Sequence, residues 1–267
     1  HTFKPNIDEI NNKTDTSREE YKKLLVDYPP KRYRMIHPLL NNEGELVFES
    51  GYSPLVKIDF CSNLVWVNDE DQFHHSKNID HEGNYWVPSV IFPSSLDRQL
   101  IGETYGNYSD DGITKISKNG KILYQKSVTE ILMENNYKSL IFGNDFASKD
   151  PIHLNDIEPA MNDSLFWKKG DLFLSLKHRS IILHFRPSSN ELVNIIRGPF
   201  FYQHDVDIIS DKEISIFNNN NFFVNNKHSE VLIYNFETKK FRKLFNDQLQ
   251  KENFKTDSQG LSHIFND

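Results

Sequence analysis

Ile181-Ile182-Leu183-His184-Phe185, a short polar turn, then Leu192-Val193-Asn194-Ile195: this stretch decides the fold. Two apolar runs rich in β-branched residues, separated by turn formers, read as a β-hairpin. The phrase recurs at Leu55-Val56-Lys57-Ile58-Asp59 to Leu64-Val65-Trp66, at Ile113-Thr114-Lys115-Ile116 to Ile122-Leu123, and at Val231-Leu232-Ile233-Tyr234-Asn235 to Phe241-Arg242-Lys243-Leu244. The first three copies are each followed, after a linker, by a segment opening with histidine: His75-Ser76-Lys77-Asn78-Ile79, His153-Leu154-Asn155-Asp156-Ile157 and His204-Asp205-Val206-Asp207-Ile208. After the fourth copy, Ser258-Gln259-Gly260 stands in that place. Each histidine lies four residues before an Ile, and each segment leads through a polar turn to an apolar strand: Tyr85-Trp86-Val87, Leu172-Phe173-Leu174 and Ile214-Ser215-Ile216. A unit of hairpin, loop, His-strand and return strand, at an irregular period of roughly 50 to 80 residues, predicts four-stranded antiparallel blades with insertions. Such a radially repeated fold aims several imidazoles at one axis, an arrangement suited to binding an anion and attacking it.

The chain has 267 residues, enough for one large all-β domain or two small ones. Hydrophobic content of 37% supports a packed core, and 20 Phe with 11 Tyr fit strand-rich structure. A net charge of −7 argues against broad nucleic-acid or anionic-membrane binding, while leaving room for a local basic pocket. The single Cys61 allows no intrachain disulfide, and no zinc-ligand spacing occurs. No apolar run is long enough for a membrane span.

Residues 1–28 read as a polar segment ahead of the β-domain at 29–267, with a short helix where Ser17-Arg18-Glu19-Glu20 precede Tyr21, Leu24 and Leu25. Residues 88–111 and 126–152 read as insertions, the second with a helical turn or two at Val128 to Leu132. Asp69-Glu70-Asp71 reads as an acidic tight turn and Asn218 to Asn221 as a solvated loop. Trp66, Trp86 and Trp167 read as packing between blades. The closing Gly260-Leu261-Ser262-His263-Ile264 reads as a strand whose return partner lies beyond the sequence, so part of a longer protein is expected.

Several phrases around the histidines are polar where strands usually bury apolar side chains. His153-Leu154-Asn155-Asp156-Ile157-Glu158, Ser175-Leu176-Lys177-His178-Arg179-Ser180 and Gln203-His204 resemble the "H-x-N-D-I-E", "S-x-R-H-x-S" and "Q-H" strands of the arylsulfotransferase family. His74-His75 with Asp80-His81-Glu82-Gly83-Asn84 resembles its "H-H-D … D-G-N" strand, and the motifs are co-linear over roughly residues 55–235. The resemblance implies a six-bladed β-propeller that moves a sulfuryl group from an aryl sulfate to a phenol through a sulfated histidine, without 3′-phosphoadenylyl sulfate, other cofactor or metal. It implies His204 as nucleophile, with His153 and His75 as the other channel histidines. The family's sulfate-binding Arg falls on Lys177, which keeps the charge but loses the bidentate fork. Arg179, expected on the same strand face as Lys177, His178 and Asn155 complete the expected substrate contacts. His74 is expected on the opposite strand face, and Asp205 facing away from the chemistry.

A neutral imidazole is a competent nucleophile near neutral pH, and the transferring group needs fixed donors around three oxygens. Protonated His153 or His75 would serve the leaving phenolate. The implied partners are a small aryl sulfate and a phenol, with no nucleic acid; an oligomer is open. Periplasmic or secreted residence follows from the resemblance alone. Two rivals stand beside this reading. One is a non-catalytic propeller binding an anionic or aromatic ligand or a protein. The other is a lyase or hydrolase using the histidines as acid and base or as metal ligands.

Overall fold

Continuous apolar runs become central strands buried on both faces. The computed structural model describes residues 1–22, 29–95, 108–142, 149–220 and 228–264. It divides into two units, His1–Glu130 and Ile131–Asp267. Every strand pairing in both is antiparallel, so the fold is all-β with a few short helices.

Unit 2 shows the repeat plainly. One sheet runs β9 (Leu154–Pro159), β10 (Leu172–Leu176), β11 (Ile181–Arg186) and β12 (Glu191–Ile196) in order. A second runs β13 (Val206–Ile208), β14 (Glu213–Asn218), β15 (Glu230–Asn235) and β16 (Lys240–Leu244). β10 is buried at every position, whereas outer β12 alternates with solvent, as expected where sheets stack face to face. Trp167 joins Phe173 and Ile182 of the first sheet with Val206, Ile214 and Leu232 of the second in one core, so it packs between two neighbouring sheets.

Unit 1 holds β1 (Ile36–Leu40), β2 (Leu46–Glu49), β3 (Ser53–Ile58), β4 (Leu64–Phe73), β5 (Asn78–Ile79), β6 (Tyr85–Val90), β7 (Asp111–Ile116) and β8 (Ile122–Ser127). Pairing of the end of β4 with β6, Phe73 to Ser89, merges them into one eight-stranded sheet. Helix α1 (Ile7–Lys13), capped by the Asn6 side chain, buries Ile10 against Phe48 and Val56. Tyr21 lies buried in a 3-10 turn, where its hydroxyl donates to the Asp71 carbonyl. The helix expected around Tyr21 is thus a single turn at Glu19–Tyr21, and Leu24 and Leu25 lie outside the described residues.

The repeat frame differs from the sequence reading. Three of the four hairpins share a sheet with the His-segment before them: 113–123 pairs onto β6 and through it β5, 181–196 onto β10 and β9, and 231–244 onto β14 and β13; the first, 55–66, has none before it and joins the sheet of the His75 segment through β4 and β6. Backbone pairing to the adjoining strand sets which strands share a sheet, and hydrophobic periodicity alone does not reveal that phase. Asp69-Glu70-Asp71 is part of β4 and not a turn, because Arg18 covers its exposed carbonyls by donating to Asp69 and Glu70. The stretch after β8 carries helices α2 (Val128–Glu134) and α3 (Ser139–Phe142), as expected of an insertion. Helix α4 (Asn246–Lys251) follows β16. No helix among the described residues is long and apolar enough to cross a membrane.

Candidate functional site

His153 and His204 each sit just before the first strand of their sheet, β9 and β13, while His75 lies between β4 and the two-residue β5 inside the eight-stranded sheet. His75 and His153 both take a left-handed backbone, with φ of 61° and 53°. For a non-glycine residue that is an uncommon conformation, found where surrounding contacts over-determine it.

In unit 2 the surroundings of His204 are closely specified. Gln203 is fully buried and its amide donates to the carbonyls of Leu176 (3.1 Å) and Ile181 (2.9 Å), tying the loop to the β10–β11 turn. Asn155 donates to the Gln203 carbonyl at 3.0 Å, tying it to β9. The His204 imidazole is 2% exposed. The backbone N–H of Gln259 donates to His204 Nε2 at 2.8 Å, which puts the ring's lone pair on Nε2. Nδ1 then carries the proton and donates to Asn219 Oδ1 at 2.6 Å. Asn219 in turn donates to the carbonyls of Thr256 and Gln259, fastening the segment that covers the imidazole. Gly260, at φ +118°, follows; a Cβ there would run into the Phe217 ring, so glycine is what lets this segment lie over the site.

Asn218 and Asn219 are therefore buried and not part of a solvated loop, Asn220 is half-buried, and Asn221 lies outside the described residues. A run of asparagines looks like linker in a sequence; what buries this one is the end of β14 placing it beside His204. Asn219 is the functional candidate that sequence reasoning missed, and no signal short of tertiary contact marks it.

The second focus is Asp150. His153 Nδ1 lies against its carboxylate and His178 Nδ1 against its backbone carbonyl at 2.7 Å, with the two rings 4.5 Å apart. Both carboxylate and carbonyl are acceptors, so each ring donates through Nδ1. Lys177 Nζ stands 5.7 Å over the Tyr202 ring, and His178 is 5.8 Å from the same ring. Burial pulls the Lys177 and His178 pKa values below their ordinary values, with Asp150 opposing in both cases. Asp150, His153 and His178 offer one potential metal-ligand atom each within 4.8 Å.

Lys177, His178 and Arg179 form a 3-10 turn and not a strand, so period-two reasoning fails for Arg179. Its guanidinium donates to the Ile141 carbonyl at 3.1 Å, away from the Lys177 ammonium's place over Tyr202, so sharing of one strand face is excluded. The structure thus gathers Lys177, His153 and His178, links Asn155 to His204 through Gln203, and draws Arg179 to α3.

Behind the His204 loop lies a carboxylate group sealing the inner strands. Asp156 and Glu158 of β9 accept the backbone N–H groups of Val206 (2.9 Å) and Ile208 (3.2 Å). Asp205 likewise accepts Ser262 N–H at 2.8 Å. Burial, then mutual repulsion, pushes Glu158 and Asp205 well above the usual carboxylate range, and burial raises Asp207 to about 6. At the other ends of β9 and β13, a cavity of about 310 Å³ lined by Trp167, Met161 and Ile208 contains none of the three repeated histidines.

His75 belongs to unit 1. Its carbonyl accepts from the Lys77 ammonium at 2.7 Å, and that ammonium pairs with Glu49 at 2.9 Å, both side chains wholly buried. Lys77 also donates to the Ile36 carbonyl at 2.7 Å, which locks the His75 loop to β1. The His74 and His75 Nδ1 atoms are 2.7 Å apart, so His74 is a direct partner and does not turn to an opposite face; the left-handed backbone at His75 breaks the strand alternation.

Among solved structures, a protein of unknown function from Bacteroides caccae superimposes with a TM-score of 0.52 at 13% identity, over 82% of this chain and 64% of its own. A catalytically inactive virginiamycin B lyase from Staphylococcus aureus with quinupristin gives a TM-score of 0.46 at 10% identity, over 81% and 57%. A streptogramin B lyase gives 0.46 at 10% identity, over 81% and 56%. The chain therefore spans less than two thirds of the length of each. A comparison with curated proteins returned no match. The family model described as Arylsulfotransferase (ASST) matches residues 38–267, nearly the whole chain, and on that match the chain belongs to the arylsulfotransferase family.

Proposed function

We propose that this chain is the histidine-bearing part of an enzyme that transfers a sulfuryl group from an aryl sulfate to a phenol through an N-sulfohistidine at His204, on a six-bladed propeller. The observation that carries the reading is the tautomer of His204. Its Nδ1–H is committed to Asn219 and its lone pair sits on Nε2, the arrangement a nucleophilic imidazole needs. Nε2 attacks sulfur, the S–O bond to the aryl group breaks, and the phenolate leaves with a proton from His153. A phenol then attacks the sulfuryl group, the N–S bond breaks, and the phenolic proton returns to His153. The Lys177 ammonium neutralises charge on the transferring oxygens. A periplasmic or extracellular setting is part of the same proposal and is supported by family membership.

One observation favours a second reading. The Gln259 N–H occupies the Nε2 lone pair, so attack requires residues 256–264, which carry no helix or strand, to yield. A protein in which they never yield would bind an anionic or aromatic ligand without reaction. Incubation with 4-nitrophenyl sulfate separates the two. Transfer predicts nitrophenol release that depends on added phenol, a sulfated His204 peptide after donor alone, and loss of both in His204→Ala. Release that survives in His204→Ala sinks the assignment of the nucleophile, and saturable donor binding without release supports the binding protein.

A further inference from the structure

We propose that the cavity at the far end of β9 and β13 from the histidines is a binding site for a small organic amine, its ammonium group held by Glu158 and its apolar body laid against Trp167. The cavity measures about 310 Å³, at the small end of ligand pockets, about 300–1,000 Å³. Its wall is fixed by local hydrogen bonds. Ser164 Oγ accepts the backbone N–H groups of Phe166 (2.9 Å) and Trp167 (3.1 Å), and the Ser164 N–H donates to the Trp167 carbonyl at 2.9 Å. That turn sets the indole in T-shaped contact with Phe173 and Phe236, at 5.6 and 5.2 Å between ring centroids. Trp167 is only 5% exposed. Its Nε1–H nevertheless makes no hydrogen bond among the described residues and is not sealed in the interior, so it opens on the cavity that the ring lines. Met161, which is exposed at the mouth, and Ile208 complete the apolar side.

The polar side carries one sign of charge. Glu158, Asp163 and Asp211 line the cavity, and among the described residues no lysine, arginine or histidine does. Lys212, next to Asp211 in the chain, is engaged by Glu237 at 3.1 Å. Glu158 Oε1 accepts the Ile208 N–H at 3.2 Å, while Oε2 makes no hydrogen bond among the described residues. Burial, then repulsion from Asp207 and Asp156, pushes the Glu158 carboxyl well above the usual carboxylate range, so the spot lacks a counter-charge. An ammonium supplies it through a charge-assisted hydrogen bond to Oε2, and the indole N–H offers a second bond to a hydroxyl on the ligand body. A carboxylate or sulfate ligand would meet three acidic side chains and no cation, so the cavity does not duplicate a site for an aryl sulfate. The inference does not depend on the sulfuryl-transfer reading.

The test uses the full chain and three probes on one skeleton: 2-amino-1-phenylethanol, the uncharged 1-phenylethane-1,2-diol, and the anion mandelate. Titration calorimetry shows the amine binding about tenfold or more tighter than the diol, and mandelate not binding. Indole N–H signals in a nitrogen-resolved NMR spectrum locate the ligand: the Trp167 signal moves with added amine, and those of Trp66 and Trp86 stay in place. Glu158→Gln keeps an acceptor for the Ile208 N–H and removes the charge, which brings the affinity for the amine to within about threefold of that for the diol. Asp211→Asn, at the exposed rim, keeps the fold whatever Glu158→Gln does; it weakens the amine by about threefold and leaves the diol unchanged. Equal affinity for the three probes overturns the proposal, as does amine binding that leaves the Trp167 signal in place. Wild-type affinity in both variants, or no amine binding at millimolar concentration, overturns it as well.

Discussion

Replacing Asp207 by Asn should stabilise unit 2 at neutral pH and do so much less in mild acid, the reverse of what loss of a paired carboxylate does. Burial lifts the folded-state pKa of Asp207 from 3.8 to about 6. Between those values the folded protein holds a proton that the unfolded chain has lost, so stability rises as pH falls through about 6 and is complete below about 3.8. At 1.36 kcal/mol per pKa unit the full effect is about 3 kcal/mol, of which about 1.4 kcal/mol is regained between pH ~7.5 and ~5. Asp207→Asn removes the ionisation, so its stability relative to wild type should change by about 1.4 kcal/mol between those two pH values. Taking the difference cancels groups that titrate alike in both proteins, His178 among them. Asp171 does not interfere, because Arg186 and His184 hold it below the usual range and its contribution disappears only in stronger acid. Urea unfolding followed by fluorescence of Trp167, the one tryptophan in residues 131–267, reads the quantity directly. A stability gap that is flat with pH, or larger at the acid end, would refute the claim that burial of an ionised Asp207 is costly.

Three further expectations follow from the same geometry. Lys177→Arg restores a bidentate partner for a sulfate edge and should lower KM for the aryl sulfate by about fivefold, worth ~1 kcal/mol; an unchanged or higher KM places Lys177 off the sulfate. Asn219→Ala frees the His204 ring and loosens the Gln259 segment, so turnover should fall on the order of 10²-fold, as when an imidazole loses its orienting partner; full activity would show that Asn219 does not orient the nucleophile. Glu49→Gln leaves the Lys77 ammonium buried without its counter-charge and should cost unit 1 about 3–5 kcal/mol, whereas Lys77→Met with Glu49→Leu should recover much of it; a loss under about 1 kcal/mol would refute the pair's importance, and the check is thermal unfolding.

The strands were legible because burial imposes periodicity. Runs such as Ile181–Phe185 and Val231–Tyr234 are apolar on both faces because sheets stack over them, and a lone sequence carries that imprint. The histidine address was legible for the same reason: a repeated structural unit repeats its register. Side-chain direction near that address was not. Arg179 could be placed beside Lys177 only on the premise of a regular strand, and the 3-10 turn breaks the premise.

By itself the sequence determined the all-β class, the repeat, the family and the imidazoles at the strand starts, since these depend on composition, local periodicity and motif spacing. Only the tertiary structure decided which hairpin joins which histidine, that Asn219 and Gln259 hold the two nitrogens of His204, and that Asp150 belongs to His153. Those choices are made by hydrogen bonds between residues distant in the chain, up to 55 positions apart for Gln259 and His204. A buried polar atom must find a partner wherever the fold brings one within reach, and local pattern carries no record of that.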